Sequence, residues 1–363
     1  MHYSLNWNAK ETIKPSLLGI KANTIWRDHL SLGDMTTAEQ DTVWHPVYGE
    51  RSTIKDQYKA WSVVINRQNS RDKLVLDIRA YNEGIAFRYR FPGGQYLKIT
   101  DEFTEYTLPE GTKAYFTSRA QTPYEFLPLE GWPGESDRPL LLTLPEGPYV
   151  CLAEAQVVDY VRTKFKLSTE KKNTIQSAMY GPVEDIAPYH TPWRVIMCAD
   201  KPGQILEHND LILNLNPSCK IKDTSWIKPG KATFPWWNGT VVPDTTFAPG
   251  NNFETNKYYI DFCARHGIEY HSVVEYGQHE WYVNDGPDFM PGPNADASKS
   301  ISTLDMKQIC DYAKSKGVDI RIWVHWAALY PVIDKAFAQY EEWGLTGMMV
   351  DFMDRDDQAM IRI

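Results

Sequence analysis

Residues 346–358 read Thr-Gly-Met-Met-Val-Asp-Phe-Met-Asp-Arg-Asp-Asp-Gln, a short apolar run followed at once by four carboxylates within seven residues. The apolar run at 348–350 predicts a buried strand. In a barrel of eight parallel strands and eight helices, the chemistry lies at the C-terminal ends of the strands, so Asp351 would face an active-site mouth. The alternative is an acidic helix start, in which the later aspartates only favour the N-terminus of a following helix.

The sequence upstream of this stretch alternates between strand and helix patterns. Apolar spacing, with a glycine after each helix, predicts strands at 232–237, 269–275, 319–326 and 348–351 and helices at 256–266, 302–316 and 331–343. A β-α-β-α-β-α-β order requires parallel strands joined by crossover helices.

The length of this region limits what it can build. A whole (β/α)₈ TIM-type barrel takes roughly 250 residues, whereas only about 130 of the 363 residues follow position 230. Four strands cannot close such a barrel, so we expect its first half, about four βα units, in a chain truncated at its C-terminus. A compact half-sheet domain is the alternative.

Residues 1–230 have the pattern of a large antiparallel β domain. Short β-rich runs alternate in polarity and are separated by Gly, Pro, Asn and Asp clusters. One hairpin is predicted at 79–89, turning at Asn82-Glu83-Gly84. The fold class is therefore multidomain β and α/β, with an N-terminal β-sandwich at 1–230 and a partial barrel at 231–363.

Composition excludes several classes of function. The formal net charge is −9 and the basic residues are scattered, which argues against nucleic acid or an anionic membrane as a partner. The sequence contains no run of 18 apolar residues, so no membrane span is predicted. The N-terminus as written does not have the pattern of a signal peptide. The five cysteines are widely spaced, without a zinc or disulfide pattern. Thirteen Trp and 21 Tyr suit stacking on sugars as well as core packing.

Several stretches together resemble glycoside hydrolase family 97, and the resemblance covers nearly the whole chain. They are residues 43–50, 79–89, 152–156, 159–160, 191–196, 211–216 and, most specific of all, Asp223-Thr224-Ser225-Trp226-Ile227-Lys228-Pro229-Gly230-Lys231. The resemblance implies an N-terminal super-sandwich followed by a catalytic (β/α)₈ barrel. It also implies an exported enzyme, periplasmic or secreted, that cleaves α-glycosidic bonds, and a chain truncated at its N-terminus as well.

The family has a retaining branch, typified by α-galactosidases, which places an aspartate nucleophile at the end of the fourth barrel strand. Asp351 matches that position, so the resemblance implies a retaining exo-acting α-galactosidase that acts on α-linked galactosides through a glycosyl-enzyme. The alternatives are an α-glucosidase of the same family and a catalytically inactive fragment whose sandwich contacts carbohydrate. The family's acid/base glutamate belongs to a later strand, so we expect weak or no turnover from these 363 residues alone.

Other candidates would surround the nucleophile at the strand ends. Trp236 and Trp237 would stack on a sugar, unless at least one fills the core. The remaining substrate-binding candidates are Asn238, Glu275, His325, Asp354 and Asp356, of which the glutamate and the histidine are equally open to a structural role.

The resemblance implies a calcium ion as cofactor. Glu154 matches the position from which the family's sandwich sends one glutamate to the metal. Because calcium takes six to eight oxygens, we expect this chain alone to bind it poorly. The alternative is an ordinary strand glutamate that faces water.

Overall fold

The computed structural model describes residues 1–277, 279–287 and 290–363. They form two compact units, Met1–Lys222 together with Arg355–Ile363, and Asp223–Asp354. The sequence predicts the boundary at residue 230, and the structure changes unit after Lys222. A sheet-rich N-terminal unit followed by a partial α/β unit confirms the predicted fold class.

The first unit is a sandwich of antiparallel sheets. The smaller of its two main sheets has five strands, in the order His2–Trp7, Lys10–Leu17, Glu105–Thr107, Thr174–Met179 and Thr163–Leu167. The larger has ten, in the order Glu125–Pro128, Lys113–Phe116, Leu140–Thr143, Tyr149–Ala155, Trp193–Ala199, Gly84–Phe91, Lys73–Tyr81, Ile54–Arg67 and Leu30–Trp44, with Tyr189–His190 beside Gly84–Phe91. Apolar side chains of both sheets meet in one core.

Shorter elements complete the first unit. Three strands form a small sheet and two more form a ribbon; they are Asp101–Glu102, Ile20–Lys21 and Ile25–Trp26, and Val183–Ile186 and Tyr96–Ile99. Helices Gln204–Glu207 and Asp210–Asn214 contact the outer face of the large sheet, and Gln358–Arg362 is the last helix of the chain. Trp193–Ala199 is buried at every position because both faces of the sheet are covered there.

The hairpin predicted from 79–89 is present. Strands Lys73–Tyr81 and Gly84–Phe91 pair antiparallel, with Tyr81 opposite Gly84, so that Asn82 and Glu83 make the turn. Gly84 has a φ of 154°, and a Cβ there would lie 2.1 Å from the Ile196 carbonyl oxygen. Close approach of the neighbouring strand therefore requires glycine at this position.

The second unit contains the parallel sheet. As far as the described residues go, its strands lie in the order Ala232–Thr233, Tyr270–Val273, Asp319–His325 and Gly347–Asp351. The connecting helices are Phe253–His266, Met306–Ser315 and Ile333–Trp343, with the short turns Trp326–Leu329 and Tyr330–Val332 before the last of them. A hairpin of Tyr282–Val283 and Asp296–Ser300 follows the second strand. The predicted β-α-β-α-β-α-β order is confirmed.

The first parallel strand is shorter than the predicted 232–237. It ends at Thr233, and Pro235–Asn238 forms a 3₁₀ helix instead. Proline has no N–H for the sheet ladder and fits the first turn of a helix. The second strand likewise ends at Val273, so Glu275 lies two residues beyond it.

Helix ends follow the signals in the sequence. The Asn252 side chain accepts a hydrogen bond from the Thr255 backbone N–H and caps the helix Phe253–His266, which ends at Gly267 in a left-handed conformation. Asp305 caps Met306–Ser315 in the same way. Among the described residues, no helix combines the length and the apolar character needed to cross a bilayer.

Candidate active site

The C-terminal ends of the third and fourth parallel strands bring two candidates together. Ile322 and Val324 belong to the core beneath the helices. Since side chains alternate along a strand, Trp323 and His325 lie on the opposite face. His325 is the direct register partner of Asp351 on the neighbouring strand. The predicted meeting of these two residues at one edge of the sheet is therefore observed.

Two N–H groups hold the Asp351 carboxylate. The indole Nε1 of Trp323 donates to Oδ2 at 3.0 Å, and the backbone N–H of Phe352 donates to Oδ1 at 2.7 Å. Phe352 has a φ of 62°, a left-handed conformation that is uncommon outside glycine and that clusters at functional sites. Both carboxylate oxygens are fixed, and the side chain as a whole is exposed at the end of its strand.

His325 is held as a neutral imidazole. Its Nδ1 accepts a hydrogen bond from the Ala327 backbone N–H at 3.1 Å, which leaves Nε2 to carry the proton. Its ring stacks on Phe352 with centroids 5.3 Å apart and planes 8° from parallel. Burial lowers the pKa of His325, and the carboxylates of Asp354 and Asp351 oppose this only in part. The side chain can therefore donate a hydrogen bond from Nε2 at neutral pH.

Glu275 lies beyond the second strand, within the electrostatic reach of Asp351. Burial raises the pKa of the Glu275 carboxyl group, hydrogen bonding by Trp236 opposes the shift, and the negative charge of Asp351 adds to it. Its Oε2 is buried and accepts no hydrogen bond from the part of the chain that the structure describes. The structure thus brings this predicted residue into the same acidic site as Asp351.

Glu280 is a buried carboxylic acid that the sequence analysis did not select. Only 3% of the residue is exposed, and neither carboxyl oxygen has a hydrogen-bond partner among the described residues. Burial, followed by repulsion from Glu275, raises the pKa of Glu280 to about 8. It precedes the aromatic pair Trp281-Tyr282 at the start of the hairpin, and that proximity to large apolar residues was the only signal in the sequence.

The tryptophans after the first strand are available to a ligand. Trp236 is 51% exposed and Trp237 is 80% exposed, so neither fills a core formed by the described residues. Their rings meet edge to face with centroids 5.5 Å apart. Asn238, in contrast, already has a hydrogen-bond partner within the protein. Its Oδ1 accepts a hydrogen bond from the Tyr259 hydroxyl at 3.3 Å, and both residues line a cleft of about 210 Å³.

Asp354, Asp356 and Asp357, the later aspartates of residues 346–358, have three different surroundings. Asp354 is exposed and influences His325 electrostatically. Asp356 belongs to the first unit, where its carboxylate forms an ion pair with Arg162 at 3.0 Å. Asp357 caps the helix Gln358–Arg362 by accepting from the Met360 backbone N–H, as the helix-start alternative predicts for this one residue.

Glu154 lies in the first unit and does not face water. Its Oε2 accepts hydrogen bonds from Arg194 Nη1 at 2.6 Å and from Thr163 Oγ1 at 3.1 Å, and it forms an ion pair with Arg138 Nη1 at 2.9 Å. The side chain is buried, so the water-facing alternative is wrong. Two guanidinium groups already neutralise this carboxylate.

The described residues do not by themselves make up the calcium site that the resemblance implies. No group of three or more His, Cys, Asp or Glu side chains in this part of the chain is arranged to hold a metal. Calcium requires six to eight oxygen ligands, and the one proposed ligand, Glu154, directs Oε2 at cationic side chains.

Family models match most of the chain. Residues 1–217 match a model described as "Glycosyl-hydrolase 97 N-terminal", and residues 236–363 match one described as "Glycoside hydrolase 97". Together they cover both units and the strand ends described above.

Individual relatives are similar at lower identity. A protein named "Retaining alpha-galactosidase" from Bacteroides thetaiotaomicron is 26% identical across 99% of this chain. A solved family 97 enzyme from Pseudoalteromonas sp. strain K8, in complex with panose, superposes with a TM-score of 0.89 at 24% identity and again covers 99%. A solved beta-arabinopyranosidase superposes with a TM-score of 0.79 at 19% identity over 99%. The chain spans 58% of the length of the first protein and 60% of each of the other two.

Proposed function

This chain belongs to glycoside hydrolase family 97, and on that premise we propose that it carries the nucleophile of a retaining, exo-acting α-glycoside hydrolase whose preferred substrates are α-galactosides. The observation that carries the proposal is the position of Asp351 at the C-terminal end of a parallel strand, with an N–H donor on each carboxylate oxygen. The similarity to a protein named as a retaining α-galactosidase supports the choice of substrate.

The proposed chemistry gives Asp351 the first step. One of its oxygens bonds to the anomeric carbon as the bond to the leaving oxygen breaks, which forms a covalent glycosyl-enzyme. A second carboxyl group, roughly 5 Å away in retaining enzymes, protonates the leaving oxygen and then takes a proton from the attacking water. The resemblance assigns this role to a glutamate on a later barrel strand, outside these 363 residues.

The neighbouring side chains suit a sugar in this site. Neutral His325 offers the Nε2 proton to a hydroxyl oxygen, and Oε2 of Glu275, which has no partner among the described residues, can accept a hydroxyl proton. Exposed Trp236 and Trp237 present flat apolar faces that stack well on pyranose rings. A neutral polyhydroxylated ligand also suits the acidic surroundings better than an anion does.

The stereochemical outcome tests the proposal. The protein required contains this chain together with a complete barrel and is called the full-length enzyme below. With an aryl α-galactoside we expect the first sugar seen by proton NMR to be α-galactose, because two displacements at the anomeric carbon restore its configuration. If β-galactose appeared first, the enzyme would invert the configuration, and Asp351 could not be a nucleophile that forms a glycosyl-enzyme.

A substrate panel separates the alternatives. Aryl α-galactoside, α-glucoside and arabinopyranoside, compared by kcat/KM, distinguish the proposed α-galactosidase from the α-glucosidase of the same family. No cleavage of any of them would favour the alternative of an inactive protein whose sandwich contacts carbohydrate.

Calcium in the full-length enzyme and a periplasmic or secreted location stay predictions of the resemblance.

Replacing Trp323 by phenylalanine tests how Asp351 is held. The change keeps an aromatic ring but removes the N–H that donates to Oδ2 at 3.0 Å. A hydrogen bond to a charged group contributes about 1.5–3 kcal/mol, so we expect kcat/KM of the full-length enzyme to fall at least about tenfold. An unchanged kcat/KM would show that the indole does not position the nucleophile. Trp237→Phe is the matched control, because it makes the same Trp-to-Phe change without touching the hydrogen bond to Asp351. It should alter KM but leave kcat unchanged.

A further inference from the structure

The chain passes from the second unit to the first just after the proposed nucleophile. The strand Gly347–Asp351 belongs to the parallel sheet, whereas Arg355–Ile363, called the return segment below, belongs to the sandwich unit. Only Phe352, Met353 and Asp354 lie between them, and all three are exposed. The contacts that hold the return segment therefore also limit the conformations of this three-residue loop.

Arg162 of the sandwich binds the start of the return segment. Its backbone N–H donates to the carbonyl oxygen of Asp356 at 3.1 Å, and its Nη2 lies 3.0 Å from Asp356 Oδ2. Its Nη1 lies 3.3 Å from Oδ2 of Asp137, whose side chain is buried. Because the guanidinium is fixed between two carboxylates, one residue holds both the backbone and the side chain of Asp356.

Gln358 and Arg362 attach the rest of the return segment. Gln358 Nε2 donates to the carbonyl oxygens of Asp159 at 2.9 Å and Glu184 at 3.1 Å, and its Oε1 accepts from the Glu184 backbone N–H at 2.9 Å. Arg362 donates to the carboxylates of Asp159 and Asp185 at 2.7 and 2.9 Å. The Arg362 side chain is about half exposed, and ion pairs of that kind contribute little. The attachment therefore depends mainly on the contacts of Arg162 and Gln358.

Phe352, the first residue of the loop, makes contacts that this attachment stabilises. Its backbone N–H donates to Asp351 Oδ1 at 2.7 Å, and its ring stacks on His325 with centroids 5.3 Å apart. It makes both contacts at a φ of 62°, an unfavourable conformation that persists only where the surrounding structure imposes it. The parallel sheet fixes the chain before Phe352, and Arg162 fixes the chain after it.

We propose that Arg162 is a positioning residue for the nucleophile Asp351. By holding Asp356, it keeps Phe352 left-handed and so keeps the Phe352 N–H on the carboxylate. This inference rests on the proposed function, because it supposes that Asp351 attacks the sugar. Without the attachment, the loop 352–354 reaches additional conformations in which Phe352 no longer donates to Asp351. The carboxylate is then less often oriented for attack, so kcat falls while the other contacts to the sugar are retained.

Asp356→Asn tests this role in the full-length enzyme. The amide keeps the shape of the side chain but removes the charge that pairs with Arg162. Hydrogen bonds between charged groups are the stronger ones, so we expect kcat for an aryl α-galactoside to fall about tenfold while KM stays within about twofold. Asp334→Asn makes the same change at an exposed position of the helix Ile333–Trp343 and should leave kcat unchanged. An unchanged kcat in Asp356→Asn would overturn the positioning role.

Gln358→Leu is a second variant, because it removes the hydrogen bonds to Asp159 and Glu184 without touching the pair of Arg162 and Asp356. We expect kcat to fall here too, again with little change in KM. Gln308→Leu, at an exposed position of the helix Met306–Ser315, is its matched control. Circular dichroism shows whether each variant is folded at the assay temperature. If Asp356→Asn is not folded, an unchanged kcat in Gln358→Leu would overturn the role.

An external nucleophile separates positioning from general damage to the site. In an Asp351→Gly background with azide, the attacking group is not held by Phe352. We therefore expect Asp356→Asn to slow the formation of galactosyl azide there by less than about twofold, although it slows the parent about tenfold. An equal loss in both backgrounds would show that the pair acts on the fold of the site, which would overturn the positioning role.

The Asp351 variants distinguish failure of this inference from failure of the proposed function. If Asp351→Asn keeps its activity, the proposed function falls, and the positioning role falls with it. If Asp351→Asn is inactive but kcat is unchanged in both Asp356→Asn and Gln358→Leu, only the positioning role is overturned.

Discussion

Asp351→Asn should reduce glycoside cleavage by the full-length enzyme about 10⁴-fold or more, a loss typical of removing a catalytic nucleophile. The amide nearly preserves the shape of the side chain, and its oxygen can still accept one of the two N–H groups that hold Asp351. It cannot form a stable glycosyl-enzyme. Single-turnover kinetics with an aryl α-galactoside measure the loss at the chemical step.

The matched control for this substitution is Asp334→Asn, an exposed aspartate in the first turn of the helix Ile333–Trp343. It removes the same charge outside the site and should leave kcat unchanged. Asp351→Gly in the presence of azide gives a second readout. The small anion should enter from the vacated side and give β-galactosyl azide. Residual activity above about 1% in Asp351→Asn would show that another group makes the attack.

The parallel strands and their helices were predictable because their signals are local. Helix Phe253–His266 ends at Gly267 and helix Ile333–Trp343 ends at Gly344, where the left-handed conformation favours glycine. The apolar run before Asp351 similarly marks its strand without any tertiary information, but the prediction that this strand is buried is wrong, because Gly347–Asp351 is exposed or half-buried at every position. The first strand was predicted too long, because its apolar pattern continues through Pro235 although its hydrogen bonding does not.

The surroundings of the nucleophile depend on contacts between distant residues. The indole of Trp323 reaches Asp351 across 28 positions of sequence. Glu280 is buried next to the hairpin strand Tyr282–Val283, which pairs with the distant strand Asp296–Ser300. No local pattern distinguishes a glutamate that is buried by packing from one on the surface, so the sequence analysis selected Asp351 as a candidate and missed the buried Glu280.

The same limitation applies to Glu154 in the sandwich. Of the two predictions for this residue, the one that it faces water is wrong, because its carboxylate forms ion pairs with Arg194 and Arg138; the one that it binds a metal stays a prediction. Glu154 lies opposite Arg194 in the register of two neighbouring strands that are 40 positions apart in sequence. Such pairing is set by the order of strands in the sheet, which short-range patterns do not contain.

Arg194→Met should strongly destabilise the first unit. Arg194 is fully buried, and its guanidinium donates to Glu102 at 2.8 and 2.5 Å and to Glu154 at 2.6 Å. Methionine fills similar space but leaves Glu102 as a buried, unpaired charge, and breaking a buried ion pair in this way costs about 3–5 kcal/mol. Urea unfolding followed by tryptophan fluorescence should show that decrease in the free energy of unfolding. A change below about 1 kcal/mol would mean that the pair carries little of the stability.

Removing both partners distinguishes an unpaired charge from lost packing. In the double variant Glu102→Met, Arg194→Met, neither position carries a charge without its partner. We therefore expect much of the lost stability to return, as in other buried pairs replaced by apolar residues.

The effect of acid gives an independent check. Burial would raise the pKa of Glu102, but Arg194 overcomes this and holds it below its usual range. The carboxylate therefore contributes stability above its unfolded pKa of about 4.3, and this is lost as pH falls through the lower folded value. The parent should show that acid-dependent loss, and the double variant should show a smaller one, because the pKa values of Asp77 and Glu105 are also held below their usual range by hydrogen bonds and ion pairs that oppose the effect of burial.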